Sequence, residues 1–197
     1  MKNKNRLTLF SEQEIYQLYS LPTFTRAECN HHFSFNKKEL EAMNLLQTLS
    51  ARFFFGLQLG YFKAKRIFFN FEFHQVKEDA LFILSHYFPN EQLPAKEPNK
   101  NTQTAIRKKI LALTAYNNNK QMIELELYQI ALEICRLSMD PKIIAEKILQ
   151  HIKQSKMVLI AYSTIQDLVG KAIKDEQKRL FSIIENNLPK DTKIELV

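Results

Sequence analysis

Only three glycines and six prolines punctuate a chain of 197 residues. Folds rich in sheet reverse direction many times. Tight reversals lean on Gly, which reaches positive φ freely, and on Pro, which has its φ preset. A many-stranded sandwich or barrel is therefore disfavoured, and long helices joined by few turns are expected. Hydrophobic residues make up 45% of the chain and charged residues 25%, a globular balance that excludes collagen-like, mucin-like and disordered classes. The length admits one domain or two small ones, each able to bury a core.

Helix starts are written along the chain. Ser11-Glu12-Gln13-Glu14 and Thr25-Arg26-Ala27-Glu28 have the capping-box spacing, in which a hydroxyl accepts a free backbone N–H and the Glu reaches back. Asn36 precedes an amphipathic run over 37–46, and Ser50 is placed to open an aromatic run through Arg66. Asp140-Pro141 combines a cap with Pro at the first helical position, where its missing N–H costs nothing. Ser163 opens a long run to about Leu188, stopped by Pro189. Val76–Phe88, Ile106–Tyr116 and Ile123–Leu137 carry apolar residues at helical spacing. Ile67, Phe69, Phe71 and Phe73 alternate with other residues and suggest one short extended piece. The expected class is all-α.

The core chemistry changes midway. Of 15 Phe, 14 lie at or before Phe88, and the later core is drawn from Ile and Leu. Between the halves, residues 89–100 hold three Pro and read as a linker or exposed loop. Expected boundaries are a Phe-rich helical subdomain over 1–88, a linker over 89–101, and a basic helical subdomain over 102–197 that ends in a long helix.

The net charge is +7, with 28 Lys and Arg against 21 Asp and Glu. Such an excess favours an anionic partner, nucleic acid above all. Motifs for other chemistry are missing. The chain has no Gly-rich phosphate loop, no Gly-x-Ser-x-Gly and no His-Glu-x-x-His. His31 and His32 beside Cys29 fit no common zinc spacing. The two cysteines, Cys29 and Cys135, make no disulfide framework and read as buried small hydrophobes of a reducing compartment. The most apolar stretch, Phe53–Phe62, contains Gln58 and is too short to span a bilayer. No catalytic residue, metal or cofactor is expected, and neither is a membrane. The expected location is the cytoplasm.

The basic residues fall into three groups. Lys171, Lys174 and Lys178 sit at i, i+3 and i+7 with Arg179 adjoining, so one helical face carries three ammonium groups. Arg107-Lys108-Lys109 is a second cluster. Arg52, Lys63, Lys65 and Arg66 flank the aromatic run. Cations in such rows neutralise phosphates and release counterions; the alternative for each is a solvated surface. The aromatic run itself is apolar nearly all round, which reads as a buried helix with Gln58 and Tyr61 pinning the core. Gly56 and Gly60 leave a flat strip where another helix can come close.

The stretch His32-Phe33-Ser34-Phe35-Asn36, then Glu39-Leu40, then Ala51-Arg52-Phe53-Phe54-Phe55-Gly56-Leu57-Gln58-Leu59-Gly60-Tyr61-Phe62-Lys63, resembles the N-terminal region of the replicative transposases of the Tn-three type. There the pattern reads His-Tyr-x-Phe-Asn, an acidic residue with Leu, then Asn-Arg-Leu-Gly-Phe-Ala-Leu-Gln-Leu-Cys-Tyr-Leu-Arg. Leu9–Glu14, Leu21-Pro22, Arg107–Leu111, Ile152–Leu159 and Ser163–Ile184 follow in the family's order. The chain departs from the pattern where Phe54 replaces a Gly, Ile160 a Pro and Asp167 an Arg. It departs again where Asn44, Leu46 and Gln47 stand in place of an Arg-rich stretch.

The resemblance implies two small helical, helix-turn-helix-like domains that bind the terminal inverted repeats of a transposon. In that family the strand-transfer chemistry lies in a downstream carboxylate-bearing domain, so no catalysis is expected here. The expected partner is double-stranded DNA in a bacterial, nucleoid-associated setting. Its phosphates would be held by Arg52, Lys63, Lys65, Arg107, Lys108, Lys109, Lys171, Lys174, Lys178 and Arg179. The alternative is an interaction module that pairs with itself or with a full-length transposase and inhibits it.

Overall fold

The structure is a computed structural model and describes residues 6–187. Pro189, the expected stop of the last helix, lies outside them. The described residues form nine α-helices and no strand, so the fold is all-α. One residue-pair bridge, Asn117 with Met157, is the β pairing found among them. The helices are α1 (Glu12–Tyr19), α2 (Arg26–His32), α3 (Lys37–Asn44), α4 (Leu49–Lys65), α5 (Lys77–Tyr87), α6 (Lys100–Thr114), α7 (Lys120–Cys135), α8 (Pro141–Gln154) and α9 (Tyr162–Asn187).

Most starts obey the caps. Thr25 and Asn36 make full capping boxes with Glu28 and Glu39. Asp140 accepts from the Lys142 and Ile143 amides at 2.8 and 3.3 Å, with Pro141 at the first turn. The aromatic helix starts earlier than Ser50 suggested. Thr48 accepts from the Ala51 amide at 3.2 Å, and Ser50 instead donates to the Lys96 carbonyl at 2.7 Å.

The chain divides into two compact units. The first holds residues 14–118 and 156–159, with α4 at its centre and α2, α3, α5 and α6 packed on it. Residues 53–62 of α4 are all buried, as an all-round apolar helix must be. The two glycines of α4 meet side chains rather than a helix backbone. A Cβ on Gly60 would stand 2.2 Å from the Phe33 ring, and one on Gly56 3.3 Å from Ile83 Cδ1. The expected extended piece is present but forms no strand. Phe69, Phe71 and Phe73 are buried while Asn70, Glu72 and His74 are exposed. In place of a neighbouring strand, the Gln58 side chain accepts from the Phe69 amide at 3.4 Å and donates to the Phe69 carbonyl. A 3-10 turn, Phe73–Val76, then leads into α5.

The second unit holds the chain up to Gln13, residues 119–155, and the chain from Ile160. Its helices α7, α8 and α9 bury Ile123, Leu127, Ala131, Ile144, Ile148, Ile152, Ile165 and Val169. α7 and α9 run in the same direction, with Lys120 near Thr164 and Tyr128 reaching Asp175. The N-terminal segment joins this unit. The Tyr162 hydroxyl accepts from the Leu9 and Phe10 amides at 3.0 and 3.4 Å, and Arg6 clasps Asp167 through two 3.0 Å contacts.

This partition differs from the expected boundary at 89–101. The Pro-rich segment is laid onto the Phe-rich unit, through the Ser50–Lys96 bond and a Glu97 carboxylate that accepts from the Phe73 amide. α6 then packs on α4 and sends Ile106 and Ile110 into the aromatic core. The change of unit falls after Asn118 instead.

Candidate nucleic-acid interface

The basic residues of the Phe-rich unit are largely occupied by their own fold. Arg52 Nε donates to the Leu46 carbonyl at 2.8 Å. Lys63 Nζ sits 2.8 Å from the buried Glu39 carboxylate and 2.9 Å from the Ser34 carbonyl, above the Phe35 ring. Lys65 donates to the Gln17 carbonyl, and partial burial pulls its ammonium below the ordinary lysine range. Arg107 reaches the Phe69 carbonyl at 2.8 Å and Asn70 Oδ1 at 2.7 Å. Burial lowers its pKa too, and its Nε is buried without a partner. Between them these four side chains satisfy the Leu46, Ser34, Gln17 and Phe69 carbonyls and the buried Glu39 carboxylate. Of the expected phosphate-holding set in this unit, Lys108 stays exposed and Lys109 half-exposed on α6.

Helix α9 is different. Its buried residues, Ile165, Val169, Ala172 and Glu176, mark one stripe. Lys171, Lys174 and Lys178 are exposed on the opposite side. Lys171 Nζ lies 4.1 Å from the centre of the Tyr128 ring, and Lys178 stands 3.7 Å from Asp175. Lys174 makes no ion pair among the described residues. Asp175 accepts a 2.5 Å hydrogen bond from the Tyr128 hydroxyl, which with Lys178 and Lys171 nearby holds its carboxyl below the usual range. The same bond pushes the Tyr128 phenol up to about 12. Arg179 does not join the row. It turns to grip Glu176 through contacts of 2.8 and 2.6 Å, and this hydrogen bonding depresses the Glu176 carboxyl.

Among the described residues no three metal-ligating side chains gather, and no helix is long and apolar enough to cross a membrane. Cys29 is engaged instead with the buried Asp79, at 3.5 Å, while Tyr61 donates to the other Asp79 oxygen at 2.6 Å. Sequence spacing does not reach this cluster, because its members lie on three helices far apart in the chain.

A family model described as a domain of unknown function, DUF4158, matches residues 9–172. The chain belongs to the DUF4158 family. No curated protein matches it significantly. The DUF4158 match takes in the whole Phe-rich unit and α9 as far as Ala172, so Lys174 and Lys178 lie beyond the matched residues.

Proposed function

We propose that this DUF4158 chain binds duplex DNA and holds phosphates on the outward face of α9. On this reading it is the N-terminal region of a replicative transposase, bound to a terminal inverted repeat in the bacterial nucleoid, and it carries out no strand transfer. The observation that carries the reading is the row of Lys171, Lys174 and Lys178, exposed on the side of α9 away from its buried stripe. The likeness of residues 32–63 to the transposase pattern supports it. The surplus of cations over the whole chain adds to it. Lys108 and Lys109 are the remaining candidates in the Phe-rich unit.

A mobility-shift titration tests the proposal. Each phosphate contact contributes about −0.9 to the slope of log K against log salt. Three lysines predict a slope of about −3, and Lys174→Gln should lower its magnitude by about one. The absence of any shift on any duplex at low salt would remove the proposal.

One observation favours the alternative, an interaction module. Leu180 and Ile183 continue the buried stripe of α9, yet they are exposed, with Ile184 beside them. Light scattering of the chain, and a pull-down with an intact transposase of this type, distinguish pairing through these residues from DNA binding.

A further inference from the structure

Phosphate contacts position a protein on DNA, but base edges must be read by other groups. Resting on the DNA-binding reading, we infer that Gln177 and Phe181 are the base-reading residues and that α9 presents them to a major groove. At 3.6 residues per turn, Lys174 and Phe181 fall roughly opposite the buried stripe, with Gln177 and Lys178 on either side of them. From Gln177 to Asn187 every residue of α9 is exposed, so this stretch of helix is open to a groove. A B-DNA major groove, about 12 Å wide, admits one helix.

Phe181 is 62% exposed on this face. An exposed Phe set among lysines has the chemistry to meet a thymine methyl group. Gln177, one turn earlier, offers the amide pair that bonds adenine N6 and N7. Lys174 and Lys178 lie along one flank of the two and can reach phosphates on that side of the groove. Glu185, exposed in the last turns, repels phosphate and sets the end of the reading face.

The full chain should be taken through rounds of selection on a pool of randomised duplexes, and its affinity then measured for the enriched duplex and a scrambled one. The wild-type chain is expected to enrich a motif. Gln177→Ala and Phe181→Ala should each cut the enriched-to-scrambled affinity ratio by about five- to a hundred-fold. Affinity for the scrambled duplex and the salt slope should stay unchanged. Lys174→Gln should weaken both duplexes equally. Circular dichroism checks that each variant is folded, which the outward position of all three residues favours. If wild type binds DNA but enriches no motif, or if both alanine variants keep the ratio, the inference is overturned while the DNA-binding reading stands. If wild type binds no duplex at all, that reading fails and takes the inference with it.

Discussion

The smallest residue of the core sets one of its tightest limits. Gly60 lies against the fully buried Phe33, and a Cβ there would come within 2.2 Å of two ring carbons. Alanine favours helix by about 1 kcal/mol over glycine, but overpacking a close-packed site costs about 1–3 kcal/mol. Because the ring is enclosed, the clash wins. Gly60→Ala should lower the urea midpoint clearly, whereas Gly56→Ala, facing the flexible tip of Ile83, should change it little. A second residue-level expectation concerns pH. Burial and the neighbouring Asp79 raise the Cys29 thiol from 9.0 to about 11. The unfolded thiol thus loses its proton at a pH where the folded one keeps it, so stability falls as pH rises from about 9 to about 11. Urea unfolding at a series of alkaline pH values should show a shallower decline for Cys29→Ala than for wild type; parallel declines would refute this. Burial of Gln58 and Tyr61 was legible in the sequence, because an all-round apolar helix must enclose its polar members. Their partners were not, since Phe69 and Asp79 reach them only through the tertiary fold.

Helices were the most legible elements, because caps are local chemistry. Thr25, Asn36 and Asp140 each accept backbone amides one turn on, and spacing alone announces that. The start of α4 was misplaced because Ser50 and Thr48 are both plausible caps, and the choice between them rests on Lys96, far along the chain. The extended piece at 67–73 shows the same limit. Its alternation reports one-sided burial, which a side-chain amide on a helix serves as well as a neighbouring strand. Ends were harder still to read, because this chain closes helices without glycine. Arg66 and Ala115 cap α4 and α6 in the left-handed region, at φ 57° and 55°. Ala115 is exposed, so its methyl group adds strain without packing. Ala115→Gly should therefore raise stability by about 0.5–1 kcal/mol, read as a shift in thermal midpoint, and a loss would contradict the strain assigned here. The basic face of α9 was legible as i, i+3, i+7 spacing. The occupation of Arg52, Lys63, Lys65 and Arg107 was not, because the carbonyls they satisfy are exposed or hidden only by packing.

At the level of the whole molecule, the shift from Phe to Ile and Leu points to a boundary in the Pro-rich segment, whereas the compact units change after Asn118. Composition marks where a core's side chains change, while the limits of a unit follow which helix covers which. α6 is rich in Ile and Leu and yet completes the aromatic core. A fragment of residues 1–98, cut in the Pro-rich segment, therefore lacks Ile106 and Ile110 and leaves part of α4 uncovered. Its melting should be non-cooperative by circular dichroism, in contrast to the full chain; a sharp transition in the fragment would show that α6 is dispensable. The Phe-rich unit also takes back residues 156–159, where the Asn117 carbonyl accepts from the Val158 amide at 3.0 Å and the Arg66 carbonyl from the Leu159 amide at 2.9 Å. During synthesis these closing residues leave the ribosome only after all of 119–155 has emerged, a delay of roughly a few seconds at usual elongation rates. The first core to be translated must therefore wait, unfinished, while α7 and α8 of its neighbour emerge, and the newborn protein is most vulnerable to chaperones and proteases in that interval.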